Sequence, residues 1–198
     1  GVFRSNTNLT FSGSTISCKI KSTQGGKLAF HNNANELIEI LSNTFHETEM
    51  IEQAVDQFAI SDNTGKLTIN AGLKFQDFVI PELLNNAYSE IEIKNTNLRL
   101  FDTQRVTTNV GKLSFSAISA DESITIVTNG LKEIEFIQCD RIHEINLKLY
   151  HATHFRMTNC LNIDTLKLSG TIENVDFSGF NGVKNDIQSI SLDQIEAG

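Results

Sequence analysis

Apolar residues along this chain fall into pairs separated by one position, and between Val110 and Val183 the pairs recur about every 21 residues. Four segments beginning at Val110, Leu131, Ala152 and Ile172 align so that their apolar positions form columns. One column reads Leu113, Ile134, Phe155, Val175, and the next reads Phe115, Phe136, Met157, Phe177. Side chains two apart on a strand share a face, so each pair puts two apolar groups on one buried surface. Further columns read Ile118, Cys139, Cys160, Phe180 and Asp121, Ile142, Ile163, Val183, the second broken only by its first member. Half a coil later the device returns as Ile124/Ile126, Ile145/Leu147 and Leu166/Leu168, which predicts a second strand per coil. Such a coil has two walls, and its interior closes only when another coil lies above and below it.

Three of these segments, LKEIEFIQCDRI from Leu131, ATHFRMTNCLNI from Ala152 and IENVDFSGFNGV from Ile172, resemble leucine-rich repeats. The shared pattern is an apolar residue, two others, apolar-x-apolar, two others, Asn or Cys, two others, and an apolar residue. The resemblance covers about the last 90 residues. It implies an arc-shaped solenoid used for binding, and it brings no catalytic residues with it. The chain departs from the pattern in two ways. Ile118 and Phe180 hold the Asn column in the outer coils, and the second half of each coil reads as strand rather than helix. A general parallel β-solenoid therefore describes these coils nearly as well. The expected fold is mainly β: a right-handed β-solenoid, leucine-rich-repeat-like, with coils of about 21 residues.

Before the regular coils, LTF at Leu9, ISCKI at Ile16 and KLAF at Lys27 predict three short strands between Ser-Gly and Gly-Gly turns. Residues 35–58 read differently. Leu37, Ile38, Leu41 and Phe45, then Met50, Ile51, Ala54, Val55 and Phe58, follow helical spacings and predict a small helical cap or insertion over the end of the stack. The expected organisation is an N-terminal unit of strands and helical cap over 1–57 and a β-solenoid over 58–198, continuous with one another. After Phe58 the pairs return as Phe58/Ile60, Leu67/Ile69, Phe78/Ile80, Ile91/Ile93 and Leu98/Leu100, with a turn at Asp62-Asn63-Thr64-Gly65 and a helical turn starting at Pro81. The segment ISL at Ile190 predicts a last strand.

Composition narrows the functional classes. The formal net charge is −8 and no Lys/Arg cluster stands out, so nucleic-acid binding through phosphate neutralisation is not expected. No apolar run approaches the ~20 residues that cross a bilayer, so no membrane insertion is expected. A chain that starts at Gly1 is expected to be a processed product or an excised piece. Three cysteines make no disulfide framework, and no CxxC or Cys/His spacing points to zinc. Cys139 and Cys160 share a column in neighbouring coils and read as buried apolar fillers, with a disulfide or a metal site as the alternative. His143, His151 and His154 read as corner residues, and Asp121/Glu122 and Asp140/Glu144 as chance pairings of carboxylates. No GxSxG, Walker-type loop, GxGxxG or HExxH occurs, and no cofactor is expected. Asn8-Leu9-Thr10 matches the glycosylation sequon.

Outward positions between the buried columns line up from coil to coil into a flat surface. They read Lys112, Glu133, His154, Asn174, then Ser114, Glu135, Arg156, Asp176, then Ser116, Ile137, Thr158, Ser178. The charges around Arg156 predict a cross-strand ladder. Glu133, Glu135, Ile137, His154, Arg156, Thr158, Asn174 and Asp176 form the candidate binding face. The expected function is a non-enzymatic recognition or scaffold module for a protein or glycan, secreted or on a cell surface. Alternatives are a structural subunit of a viral or phage fibre or tail assembly, which would place the chain in a virion, and a polysaccharide-active β-helix enzyme.

Overall fold

Parallel pairing between residues one coil apart governs the backbone throughout. The computed structural model describes residues 8–12, 18–21, 24–31, 37–41, 43–51, 57–72, 83–84, 86–98, 101–102, 110–128, 130–179 and 187–196, and among these residues there is no helix. The strands are β1 (Leu9–Ser12), β2 (Cys18–Lys21), β3 (Gln24–His31), β4 (Leu37–Leu41), β5 (Thr44–Ile51), β6 (Gln57–Ser61), β7 (Thr64–Gly72), β8 (Leu83–Leu84), β9 (Ala87–Leu98), β10 (Phe101–Asp102), β11 (Lys112–Thr128), β12 (Glu133–Ile137), β13 (Asp140–Thr158), β14 (Leu161–Ser178) and β15 (Ile187–Glu196). An eleven-stranded sheet runs β1-β3-β5-β7-β9-β11-β12-β13-β14-β15, with β10 on β11, and a four-stranded sheet runs β2-β4-β6-β8. Each coil thus adds one rung to a first wall and one to a second, the arrangement of a β-solenoid. In the later coils β11 runs without a break round the corner that leaves the first wall, and β13 and β14 run without a break round the corner that enters it, so both walls belong to one sheet.

Left-handed residues shape the corner that leaves the first wall. Asn95 (φ 49), Ala117 (φ 51), Gln138 (φ 53), Asn159 (φ 52) and Gly179 (φ 73) occupy it one above another. Ala117 and Gln138 are the costly members, because only Gly, and to a lesser degree Asn or Asp, visits this region readily.

The apolar columns of the regular coils are real rungs. Leu113 pairs with Ile134 and Phe115 with Phe136, then Ile134 pairs with Phe155 and Phe136 with Met157. All six are at most 4% exposed, and the stack Phe115, Phe136, Phe155, Phe177 runs through them with ring centroids 4.9, 6.3 and 5.7 Å apart. Val175 and Phe177 pair with Phe155 and Met157 as expected, yet on this last described rung of the first wall they are 42% and 39% exposed. The column expected to begin at Asp121 begins instead at Ala120, which pairs with Ile142. A bulge between Ala120 and Ser123 carries Asp121 and Glu122 outward to solvent.

The helical cap expected over residues 35–58 is corrected by the structure. Leu37–Leu41 and Thr44–Ile51 are strands that continue the two walls. Ile38 pairs with Cys18 and Phe58, and Thr48 pairs with Leu28 and Leu67. Two features imitated a helix here. A bulge between Thr44 and Glu47 throws the buried Phe45 out of phase with the next inward position, and that position, Thr48, is polar though only 2% exposed. Leu83–Leu84 is likewise a strand, on Ile60–Ser61, where a helical turn was expected. Asn35, Ala54, Val55, Phe78, Ile80, Pro81, Leu100, Phe180 and Val183 lie outside the described residues.

The corner that enters the first wall is built in two ways. In the earlier coils Asn43, Asn63 and Asn86, each at most 2% exposed, form a ladder. The Asn63 Oδ1 accepts from the Asn43 backbone N–H at 2.9 Å, the Asn86 Oδ1 accepts from the Asn63 N–H at 2.9 Å, and the Asn63 amide donates to the Ile40 carbonyl at 2.8 Å. From Val110 onward apolar residues take over the corner, with Leu131, Ala152 and Ile172 stacked behind it and all four at most 6% exposed.

Two changes test this assignment of inside and corner. Phe136→Ala should destabilise by about 3–5 kcal/mol in a denaturant titration, through lost burial and a residual cavity. Ala117→Asn should raise stability by up to about 1 kcal/mol, because it relieves a left-handed alanine with the residue type that neighbouring coils already use there.

Candidate functional site

The candidate face is the outward side of the first wall, and its columns extend well beyond the regular coils. One column reads Lys27, Glu47, Lys66, Glu90, Lys112, Glu133, His154, Asn174. The column beside it reads Ala29, Glu49, Thr68, Glu92, Ser114, Glu135, Arg156, Asp176. A third reads His31, Ile51, Asn70, Lys94, Ser116, Ile137, Thr158, Ser178.

These columns reveal a unit two coils long. A coil carrying a lysine and a small residue alternates with a coil carrying two glutamates. Lys27 Nζ lies 3.6 Å from Glu47 and 2.8 Å from Glu49, and Lys66 Nζ lies 3.2 Å from Glu90 and 3.6 Å from Glu92. Lys112 Nζ lies 2.8 Å from Glu135 Oε2. Thr68 and Ser114, the small residues of the second column, are buried although they point outward. The sequence carried a signal for this in Glu-x-Glu at 47/49, 90/92 and 133/135. Alignment of the regular coils alone misses it, because two of the three pairs precede Val110.

Glu135 is the node of the ladder's C-terminal end. Its side chain is 11% exposed and it accepts from Arg156 Nη1 at 3.0 Å while holding Lys112, and Arg156 Nε in turn lies 3.4 Å from Asp176 Oδ2. The eight candidate residues are therefore brought together on one surface, with unequal access. His154, Arg156, Asn174 and Asp176 are exposed, Glu133, Ile137 and Thr158 are half-buried, and Glu135 is buried. The alternation of acid and base stops at His154 and Asn174, so the last two coils show solvent a mixed set of donors and acceptors.

Charge pairing sets the protonation of the ladder. Burial works to raise the Glu49 carboxyl, but hydrogen bonds and charge from Lys27 and His31 outweigh it and hold the group below its ordinary value of 4.5. The hydrogen bond to Glu49 raises Lys27 above its ordinary 10.5, and the bond to Glu135 does the same for Lys112. Burial pulls Lys66 down, and Glu90 and Glu92 more than restore it.

Cys139 and Cys160 lie behind the same corner, both reduced and at most 1% exposed. The Cys160 sulfur in the next coil, followed by burial, pushes the Cys139 thiol up and out of the physiological range. His143 sits on a strand rather than in a turn, with its Nδ1 2.9 Å from Asp164 Oδ2 on the exposed surface. His151 is at a left-handed bend (φ 63) and His154 is on the first wall, so the two straddle a corner. Among the described residues no group of three or more His, Cys, Asp or Glu is placed to hold a metal ion. No protein-family model, no characterised protein and no solved structure matches the chain.

The ladder's contribution has a defined pH window. Glu49 is lowered in the folded state, so its stabilisation is present above the unfolded carboxylate value of about 4.3 and disappears as pH falls through the folded value. Lys27, Lys66 and Lys112 are raised, so theirs is present below about 10.4 and disappears as pH rises through the folded value. Denaturant midpoints should therefore form a plateau that declines at both ends, and Glu49→Gln should flatten the acid side. Near neutral pH, Glu135→Gln should cost roughly 0.5–2 kcal/mol and Arg156→Ala under about 1 kcal/mol, both shrinking in high salt.

Proposed function

We propose that the chain is a non-enzymatic recognition or scaffold module that binds a protein or glycan through the C-terminal end of its first-wall face. In this reading it is a right-handed β-solenoid, leucine-rich-repeat-like in its later coils, displayed on a cell surface or secreted. Right-handedness is supported by the near-universal hand of crossovers between parallel strands. A coil of about 21 residues is supported by the separation of 21 between Glu135 and Arg156 on adjacent rungs.

One observation carries the binding face: the change in the outward columns after Glu133 and Glu135. Up to that point lysines and glutamates satisfy one another, which leaves little for a partner to gain. Beyond it the guanidinium of Arg156, the imidazole of His154, the amide of Asn174 and the carboxylate of Asp176 all face solvent. On a rigid sheet these groups offer both donors and acceptors, the chemistry that reads hydroxyls and amides. Glu133, Ile137 and Thr158 flank them, and Glu135 positions Arg156 from below.

A glycan array and a panel of extracellular proteins probed with the chain test the face. Arg156→Ala with His154→Ala and Asn174→Ala should abolish any signal, and full binding by that triple variant would overturn it. Val175, 42% exposed on the last described rung, favours a second reading, a structural subunit of a viral or phage fibre or tail assembly. Sedimentation separates the two: a monomer supports the recognition module, and an obligate trimer supports the fibre.

A further inference from the structure

We propose that Cys139 and Cys160 form a two-thiolate site for a soft monovalent cation of the Cu(I) class. The two residues hold the same corner in neighbouring coils, because Ile137 pairs with Thr158 just before them and Asp140 pairs with Leu161 just after. Each follows a left-handed residue, Gln138 or Asn159, so the backbone bends alike in both coils. Their sulfurs also make equivalent contacts. Cys139 Sγ lies 3.6 Å from the carbonyl oxygens of Phe115 and Ile137, and Cys160 Sγ lies 3.5 Å from that of Phe136 and 3.6 Å from that of Thr158. Phe115 pairs with Phe136 and Ile137 with Thr158, so one sulfur is the other translated by a rung.

A rung is about 4.8 Å. That separation suits a disulfide poorly, since the S–S bond is about 2.0 Å and the sulfurs would have to turn toward each other out of their shared orientation. It is instead close to twice a metal–thiolate bond of about 2.3 Å. A cation midway between the sulfurs reaches both in a straight line with the backbone in place. Thiolate sulfur is a soft ligand that selects Cu(I) over the harder divalent ions. Binding is not a redox step: the cation forms two metal–sulfur bonds, and each thiol releases its proton to solvent. The cation enters where Gln138 and Asn159 are exposed at the corner.

The test is an anaerobic titration of the 198-residue chain with Cu(I) buffered by a chromophoric chelator. One ion should transfer per chain, and it should protect Cys139 and Cys160 from iodoacetamide in a denaturing quench while leaving Cys18 as reactive as before. Cys139→Ala and Cys160→Ala should each lose the ion, and Cys18→Ala should keep it. Should either alanine variant fail to fold by circular dichroism, the protection pattern and the count of two sulfur neighbours by X-ray absorption on the unaltered chain still decide. Failure to take up the ion, its retention by Cys139→Ala, its loss in Cys18→Ala, or a Cys139–Cys160 disulfide formed in its place would each overturn the site.

Discussion

The in-register parallel ladder between coils is the constraint from which the other features follow. Each rung sets a residue directly over its counterpart about 4.8 Å away, so every column must be made of side chains that tolerate their own kind or alternate with a complement. Apolar columns satisfy this by stacking, as Phe115, Phe136 and Phe155 do. Asparagine satisfies it by donating to one neighbour and accepting from the next, which is why Asn43, Asn63 and Asn86 can be buried without loss. Charged residues cannot stack on themselves. Lys27, Glu47, Lys66, Glu90, Lys112 and Glu133 accordingly alternate, and the alternation doubles the repeat to two coils.

This constraint also explains which parts were legible in the sequence. Where both inward members of a rung are apolar, as in Leu113/Phe115 and Ile134/Phe136, the period of two declares a strand, and pairing confirmed those columns. The helical expectation over residues 35–58 failed where the column held Thr48 and a bulge displaced Phe45, so the spacing to the next apolar residue became helical by coincidence. Asp121 entered the wrong column because a bulge of one extra residue cannot be seen in a linear alignment. The asparagine corner was read only as a turn at Asp62-Asn63, since a buried polar ladder has no hydrophobic signature.

The outward face was legible in its residues but not in its logic. Arg156 and its neighbours were placed on one surface by their offsets alone, and the registers bring all eight candidate residues together there. The four-coil alignment gave no hint that Glu135 is nearly enclosed between Lys112 and Arg156, or that Lys27 and Lys66 are each held by two glutamates of the next coil. Most of the face consolidates the stack, and the surface open to a partner narrows to its last two coils.

The unbroken passage of β11, β13 and β14 from wall to wall bears on how the molecule would respond to force. A pull along the stacking axis loads one rung at a time, because each coil is bonded only to the coils beside it, and the array would unravel from an end in small steps. A pull across the stack, along the strands, would load whole ladders of backbone bonds together in shear. The same molecule is therefore compliant in one direction and stiff in the other.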